Sequence, residues 1–279
     1  MRRLLALAGC LVLIAQTADA GTLDRVRESR TIKLGYRADA KPHSYRTDKG
    51  EPAGYAVDLC KEMATAVIQT IGSAIKIEFV LVPADQRFES VRDGKVDLLC
   101  DPSTITLARR EMVDFSLPTF LDGASVLYRT NKPVQRYEDF SGKRIGVLGG
   151  TTTETTLRQS LADLRINANV VVVRDHRSGM DMLADDKIDA YFADRSIIAG
   201  LLYEGGRPGF TLGRQYFSYE MHALALPRGD DAFRLLVDRT LSRIYRSGKI
   251  DSILAKTFGG ASTDEMLKTM FVINSLPDK

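Results

Sequence analysis

The chain has 279 residues, of which 44% are hydrophobic and 27% charged, with a formal net charge of +3. That length suits two domains of ordinary size with real cores, and the apolar content excludes a disordered chain. The positive excess is small and spread evenly, which excludes the lysine and arginine stripe of a nucleic-acid binder.

Taken in chain order, Arg2 and Arg3 precede an apolar run over 4–15, and Ala18-Asp19-Ala20 follows as a small-x-small cleavage site. Residues 1–20 are therefore read as a cleavable signal peptide. The run falls short of the roughly 20 residues that a spanning helix needs, and no later stretch comes close, so an exported, soluble, periplasmic protein is expected. Leu7-Ala8-Gly9-Cys10 spells a lipobox, but Cys10 lies inside the apolar run, too early for a lipidation signal. Removing Cys10 leaves Cys60 and Cys100 in a compartment where disulfides persist. They form either a bridge closing a loop of about 40 residues or a pair of buried thiols. There is no Cys-x-x-Cys, and His43, His176 and His222 are scattered along the chain, so neither a metal nor another cofactor is expected.

Short apolar runs then alternate with helical patterns throughout, the mark of an α/β protein with mainly parallel strands. The first half has candidate strands over 31–36 and 75–82, followed by FESVRDGKVDLLCD over 88–101. The second half has candidate strands over 144–148 and 169–173, followed by MDMLADDKIDAYFAD over 180–194. In both halves a helical turn leads into Lys-(Val/Ile)-Asp and a buried strand that ends in aspartate, so two similar lobes are predicted. Candidate strands over 125–130 and 222–227 are read as two crossings, and a long helical finish starts at Asp231. The first lobe then comprises 21–127 and 224–279, with 128–223 inserted as the second lobe and two strands as a hinge. Met266, Leu267, Met270 and Phe271, at helical spacing, predict a tail helix packed on the first lobe.

Ligands of open α/β sheets bind beyond the carboxyl ends of the strands. In the first lobe those positions hold Arg37, then 85–87 with Arg87, then Ser103, Thr104 and Arg109. In the second they hold 149–153 with Thr151 and Thr152, then Asp175 and His176, then Asp194 and Arg195. Two such polar faces would close on a small zwitterion.

Four segments carry a family resemblance: GYAVDLC from Gly54, DGKVDLLC with STITLARR to Arg110, VDFSLPTF over 113–120, and GKRIGVLGGTTTE over 142–154. In their order and spacing the chain resembles the family 3 solute-binding proteins, periplasmic receptors for polar amino acids in ABC transporters, from Gly21 to about Gly260. The resemblance implies a two-lobed periplasmic-binding-protein-like (type II) fold, with two mixed sheets and flanking helices. It implies a monomer that captures an amino acid by hinge closure and hands it to a membrane permease, with no catalysis. Among such receptors the chain most resembles those for glutamate and aspartate, in which Arg37, Arg87 and His176 would meet the second carboxylate.

The side-chain chemistry fits these roles and leaves alternatives open. Arg109 presents a planar fork of donors that matches a carboxylate, with the Thr104 hydroxyl beside it; otherwise it is a solvated arginine or a partner of Glu111. Asp194 ends an apolar strand and suits an α-ammonium, or caps the following helix. Thr151 with Glu154 reads as a capping box, compatible with an anion at exposed N–H groups. Two arginines beyond the clamp favour an acidic ligand unless Arg37 or Arg87 pairs with Asp39, Asp85 or Glu89. Pro102 and Ala84 stand where those receptors often place a small hydroxyl or glycine, which keeps glutamine, asparagine and other dicarboxylates in view. Two other functions use the same fold: a dehydratase acting on a cyclic carboxylic acid, with Glu154 or His176 as acid or base, and a soluble sensory module.

Overall fold

The computed structural model describes residues 21–206, 208–259 and 264–279. The expected signal peptide and Cys10 thus lie outside the described residues. Among those described, no helix is long and apolar enough to cross a membrane.

The chain opens with α1 (Thr22–Ser29) and β1 (Thr31–Tyr36), then the short strands β2 (Asp39–Ala40), β3 (Ser44–Arg46) and β4 (Pro52–Ala53). Next come α2 (Tyr55–Ile71), β5 (Lys76–Leu81), α3 (Arg87–Arg92), β6 (Leu98–Thr104), α4 (Leu107–Arg110), β7 (Val113–Phe115) and β8 (Phe120–Asp122). The second unit runs through β9 (Ala124–Arg129), β10 (Arg144–Leu148), α5 (Thr152–Asp163), β11 (Asn169–Val173), α6 (His176–Ala184), β12 (Ala190–Asp194), α7 (Arg195–Gly205) and β13 (Phe210–Leu212). The chain returns through β14 (Glu220–Pro227) and finishes with α8 (Asp231–Arg246), α9 (Lys249–Phe258) and α10 (Glu265–Ile273).

Two mixed sheets result. The first has the order β5-β1-β6-β14-β7 with β8 beside β14, and the second β11-β10-β12-β9-β13. In each, three parallel strands are followed by antiparallel ones, β14 against β6 and β9 against β12. A third, small sheet joins β2, β3 and β4. Burial follows position: β6 and β12, inside their sheets, are covered along nearly their whole length, whereas the edge strands β5 and β11 keep exposed positions.

The sequence repeat has a physical reason. Asp97, just before β6, donates its N–H to Lys33 O and accepts from Lys33 N, both at 2.8 Å. Asp189, just before β12, does the same with Arg144 O and Arg144 N at the same distances. Each aspartate locks the central strand of its sheet to the neighbouring opening strand, and that is what the Lys-(Val/Ile)-Asp pattern preserves.

One large core lies under the first sheet. It packs α2, α8, α9 and α10 against β1, β6 and β14 through residues such as Leu34, Leu59, Met63, Leu98, Phe233 and Leu241. Of the two alternatives open for the cysteines, the bridge is present: Cys60 of α2 is joined to Cys100 of β6, with their Cα atoms 6.0 Å apart. The tail helix forms as expected, with Leu267, Met270 and Phe271 in this core and Met266 turned outward.

The crossings fall earlier than the sequence suggested. Tyr128 lies within β9, paired wholly in the second sheet, because Ala190 to Asp194 present five successive partners to it. Ala223 lies within β14, whose first residue, Glu220, already pairs with Asp122 of β8 in the first sheet. The chain therefore leaves the first sheet at Gly123 and comes back between β13 and β14. At Gly123 the two connecting segments nearly touch, since a Cβ there would stand 1.9 Å from the Ser218 carbonyl oxygen. Only glycine allows that approach.

Candidate functional site

The carboxyl ends of the two sets of parallel strands face each other across a closed cleft. Between them lies a small, tight cavity lined by Arg37, Arg87, Pro102, Thr104 and Arg109 from the first lobe and by Thr151, Thr152, Thr153, His176 and Asp194 from the second. The lobes are joined directly around it: Thr104 Oγ1 is 3.1 Å from Thr152 Oγ1, His176 N donates to Asp39 Oδ2 at 3.0 Å, and His43 Nε2 is 2.7 Å from Ser196 Oγ.

The first-lobe wall is cationic. Arg109, reached through the short helix α4, donates from Nη1 to Thr104 O at 2.7 Å, and its guanidinium carbon lies 4.8 Å from the Phe88 ring centre. Arg87, the first residue of α3, has its guanidinium carbon 4.5 Å from the same ring and donates to Ala84 O. Its Nε stands 3.6 Å from Asp101 Oδ2, beyond hydrogen-bond range, and both atoms are buried without a hydrogen-bond partner. Burial pulls the Arg87 pKa down to about 10, partly offset by Asp101, so it remains a cation at neutral pH.

Arg37 is differently placed. Its Nε and Nη2 grip Asp39 Oδ1 at 3.0 and 2.8 Å, and Nη2 also reaches Oδ2 at 2.9 Å. Two of the three arginines thus have a carboxylate of their own, Asp39 for Arg37 and Asp101 near Arg87. The argument that these two charges would stand uncompensated without an acidic ligand fails in that form. Ser103 does not line the cavity either. It is fully buried, and its hydroxyl donates to Asp101 Oδ1, because alternation along β6 sends Pro102 and Thr104 to the cavity and Ser103 away from it.

The second-lobe wall is built at helix starts. Thr151 caps α5 by accepting from Glu154 N at 3.1 Å, while Glu154 accepts from Gly150 N at 2.9 Å and pairs with Arg158, so only half of a capping box forms. Asp175 caps α6, which leaves His176 as that helix's first residue, buried, with Nδ1 2.8 Å from Tyr191 Oη. Burial and then Arg37 lower the His176 pKa to about 4, which makes it a neutral ring at physiological pH. Asp194 stands where a cap for α7 would, but its side chain makes no cap bond and accepts instead from Thr153 Oγ1 at 3.1 Å. Burial first, and the Glu220 charge second, push its pKa up to about 7.

Sequence reasoning missed two acids that lie close to Asp194. Glu220, at the head of β14, accepts from Thr104 Oγ1 and Thr152 Oγ1. Asp122 accepts from Ser196 N at 3.2 Å and from its hydroxyl, and its pKa is raised to about 6 by burial and then by Asp194. An acid at the end of an apolar strand was the signal that singled out Asp194, and Glu220, an acid at the start of the strand that runs into HALALP, carries a comparable one. His43 and His222, far apart in sequence, meet here with ring centres 5.9 Å apart. Donor atoms of His43, Asp122 and His222, and those of Asp194, Glu220 and His222, lie within 4.8 Å of one another. In the first set Ser196 bonds both His43 and Asp122, and in the second three hydroxyls bond Glu220, while both ring nitrogens of His222 have no hydrogen-bond partner.

This fold and this cleft place the chain in a family. It belongs to the bacterial extracellular solute-binding proteins, family 3, whose sequence profile matches residues 32–260. The L-glutamate/L-aspartate-binding protein of Pseudomonas aeruginosa is 30% identical over 241 residues, 85% of this chain and 80% of that one. The glutamate/aspartate import solute-binding protein of Escherichia coli is 22% identical over 246 residues, 88% of this chain and 82% of that one. Among solved structures, a solute receptor for L-cysteine from Neisseria gonorrhoeae superposes with a TM-score of 0.79 at 26% identity, over 89% of this chain and 99% of that one. These three are named as binding proteins or as a solute receptor.

Proposed function

We propose that this chain is a periplasmic receptor that captures a polar amino acid, glutamate or aspartate before others, by closing its two lobes, and delivers it as a monomer to an ABC transporter permease. The observation that carries this reading is the pair of guanidinium groups, Arg87 and Arg109, ranged about the Phe88 ring on one wall of a closed cavity whose other wall holds Asp194. Arg109 then takes the α-carboxylate, Asp194 the ammonium, and Arg87, which lines the same wall, the side-chain carboxylate. Neutral His176 and the Thr151 and Thr152 hydroxyls complete the shell. The glutamate- and aspartate-binding relatives support the same ligand class. Pro102 lines the cavity without an N–H to offer.

The dehydratase reading finds less support, since Glu154 is engaged with Gly150 N and Arg158, and His176 Nδ1 with Tyr191. Calorimetric titration of protein unfolded, stripped of ligand and refolded tests the proposal. Glutamate or aspartate should bind near about 1 μM, roughly −8 kcal/mol, with their amides weaker. Equal binding of the amides would defeat the acidic preference, and no binding of any amino acid would defeat the receptor reading.

A further inference from the structure

Glu220 stands where the first lobe, the second lobe and the hinge meet, and it is 7% exposed. Its Oε2 accepts from Thr104 Oγ1 at 2.6 Å and from Thr152 Oγ1 at 2.7 Å, and its Oε1 accepts from Ser218 Oγ at 2.9 Å. All three partners are hydroxyls, and a hydroxyl has one proton to give. Burial would push this carboxyl up, but the hydrogen bonds from Thr104, Thr152 and Ser218 outweigh it and hold the pKa below the usual value, so the group is ionised at neutral pH. With both threonine protons spent on Oε2, the two oxygens 3.1 Å apart have no proton left for each other or for a ligand. What they turn to the cavity is lone pairs.

We propose that Glu220 is a positioning residue that fixes the Thr104 and Thr152 hydroxyls as acceptors, so that this end of the cavity selects ligands with a free primary ammonium group. The inference rests on the reading of the cavity as an amino-acid site and deepens it. Thr104, Thr152 and Asp194 all line the cavity, and together they offer three acceptors to the three N–H bonds of a primary ammonium. The Thr104 hydroxyl is thereby assigned to the amine, not to the α-carboxylate beside Arg109. Were Glu220 not a carboxylate, the same hydroxyls could rotate and donate, and the pocket would accept a dicarboxylic acid lacking the amine.

The test compares L-glutamate, glutarate, which lacks only the amine, and N-acetylglutamate on the wild type and on Glu220→Leu. Leucine removes both carboxylate oxygens and frees the threonine protons to turn to the cavity, whereas an amide could keep its oxygen on both threonines and its N–H2 group on Ser218. Wild type should prefer glutamate over both analogues by at least about a hundredfold, and Glu220→Leu should weaken glutamate at least about tenfold while leaving glutarate unchanged or tighter. Thr152→Val should narrow the same ratio and Thr152→Ser restore it, which keeps the test open if Glu220→Leu fails to fold. Equal losses for glutamate and glutarate, or a wild type that favours glutarate, would overturn the assignment. If the wild type bound none of the three, the receptor reading would fall by itself. Glu220 would then be judged by a double-mutant cycle with Thr152→Val on ligand-free melting temperature, where coupling upholds the committed hydroxyl and additivity removes it.

Discussion

The two walls of the cavity differ in charge and in what holds them. In the first lobe three arginines are each fastened within their own lobe, Arg37 to Asp39, Arg87 to Ala84 O and Arg109 to Thr104 O, over one large core crossed by a disulfide and a smaller one that includes Phe88. In the second lobe the polar groups sit at helix starts over two smaller cores, and Thr152 finds its partner, Glu220, across the cleft. A guanidinium anchored by its own lobe keeps its aim whatever the hinge does, whereas the Thr152 bond exists only where the lobes meet. The contrast is between a preset platform of donors and a set of acceptors assembled on closure.

The comparison can be broken at several points. The largest effect belongs to the platform: Cys60→Ser with Cys100→Ser opens a loop of 40 residues and should cost the ligand-free protein on the order of 4 kcal/mol in urea unfolding. Hydrogen exchange should show the loss in β1 and β6 with β10 and β12 unaffected; a uniform loss would mean that the lobes do not differ in this way. Next is Arg109→Ala, which should weaken amino-acid binding by at least about 2 kcal/mol in calorimetry, because it leaves a carboxylate unpaired in a desolvated cleft. Unchanged affinity would take Arg109 out of the site. Arg87→Ala should hurt glutamate more than glutamine, by about 1.4 kcal/mol or tenfold, and equal losses would move the second carboxylate elsewhere.

The smallest effect concerns pH and sharpens the acceptor side. The Asp194 carboxyl is raised to about 7 in the empty cavity, and an ammonium beside it favours the carboxylate, so binding must expel a proton below that pH. Affinity should therefore fall as pH drops from about 8 to about 6, by at most tenfold per unit. Asp194→Asn should flatten that slope, and an unchanged slope would assign the titration to another group.

The fold was legible in the sequence because its signals are local and repeated: apolar strands that alternate with helices, and Lys-(Val/Ile)-Asp twice before a buried strand. The candidate cavity residues were legible for a related reason, since strand-end positions can be counted once the strands are known. Ser103 was placed wrongly because the face of β6 depends on its alternation against β14, which a strand's end does not reveal. The Arg37–Asp39 pair was foreseen as one of two alternatives, and only the fold of the turn decides between them. Glu220 and Asp122 escaped because they gain meaning from the meeting of β8 and β14 next to the cavity, residues about a hundred positions apart in the chain.

Gly123 bears on all of this from outside the cavity. Its backbone and that of Ser218 pass so closely that no side chain can stand between them, so the two segments form a two-ply ribbon at that line, and on the proposed hinge reading opening should fold the pair together and not slide one ply along the other. A single methyl in that crease would act as a shim. Gly123→Ala should thus shift the resting angle of the lobes, seen as a larger radius of gyration in small-angle scattering of the ligand-free protein, with every cavity side chain unaltered.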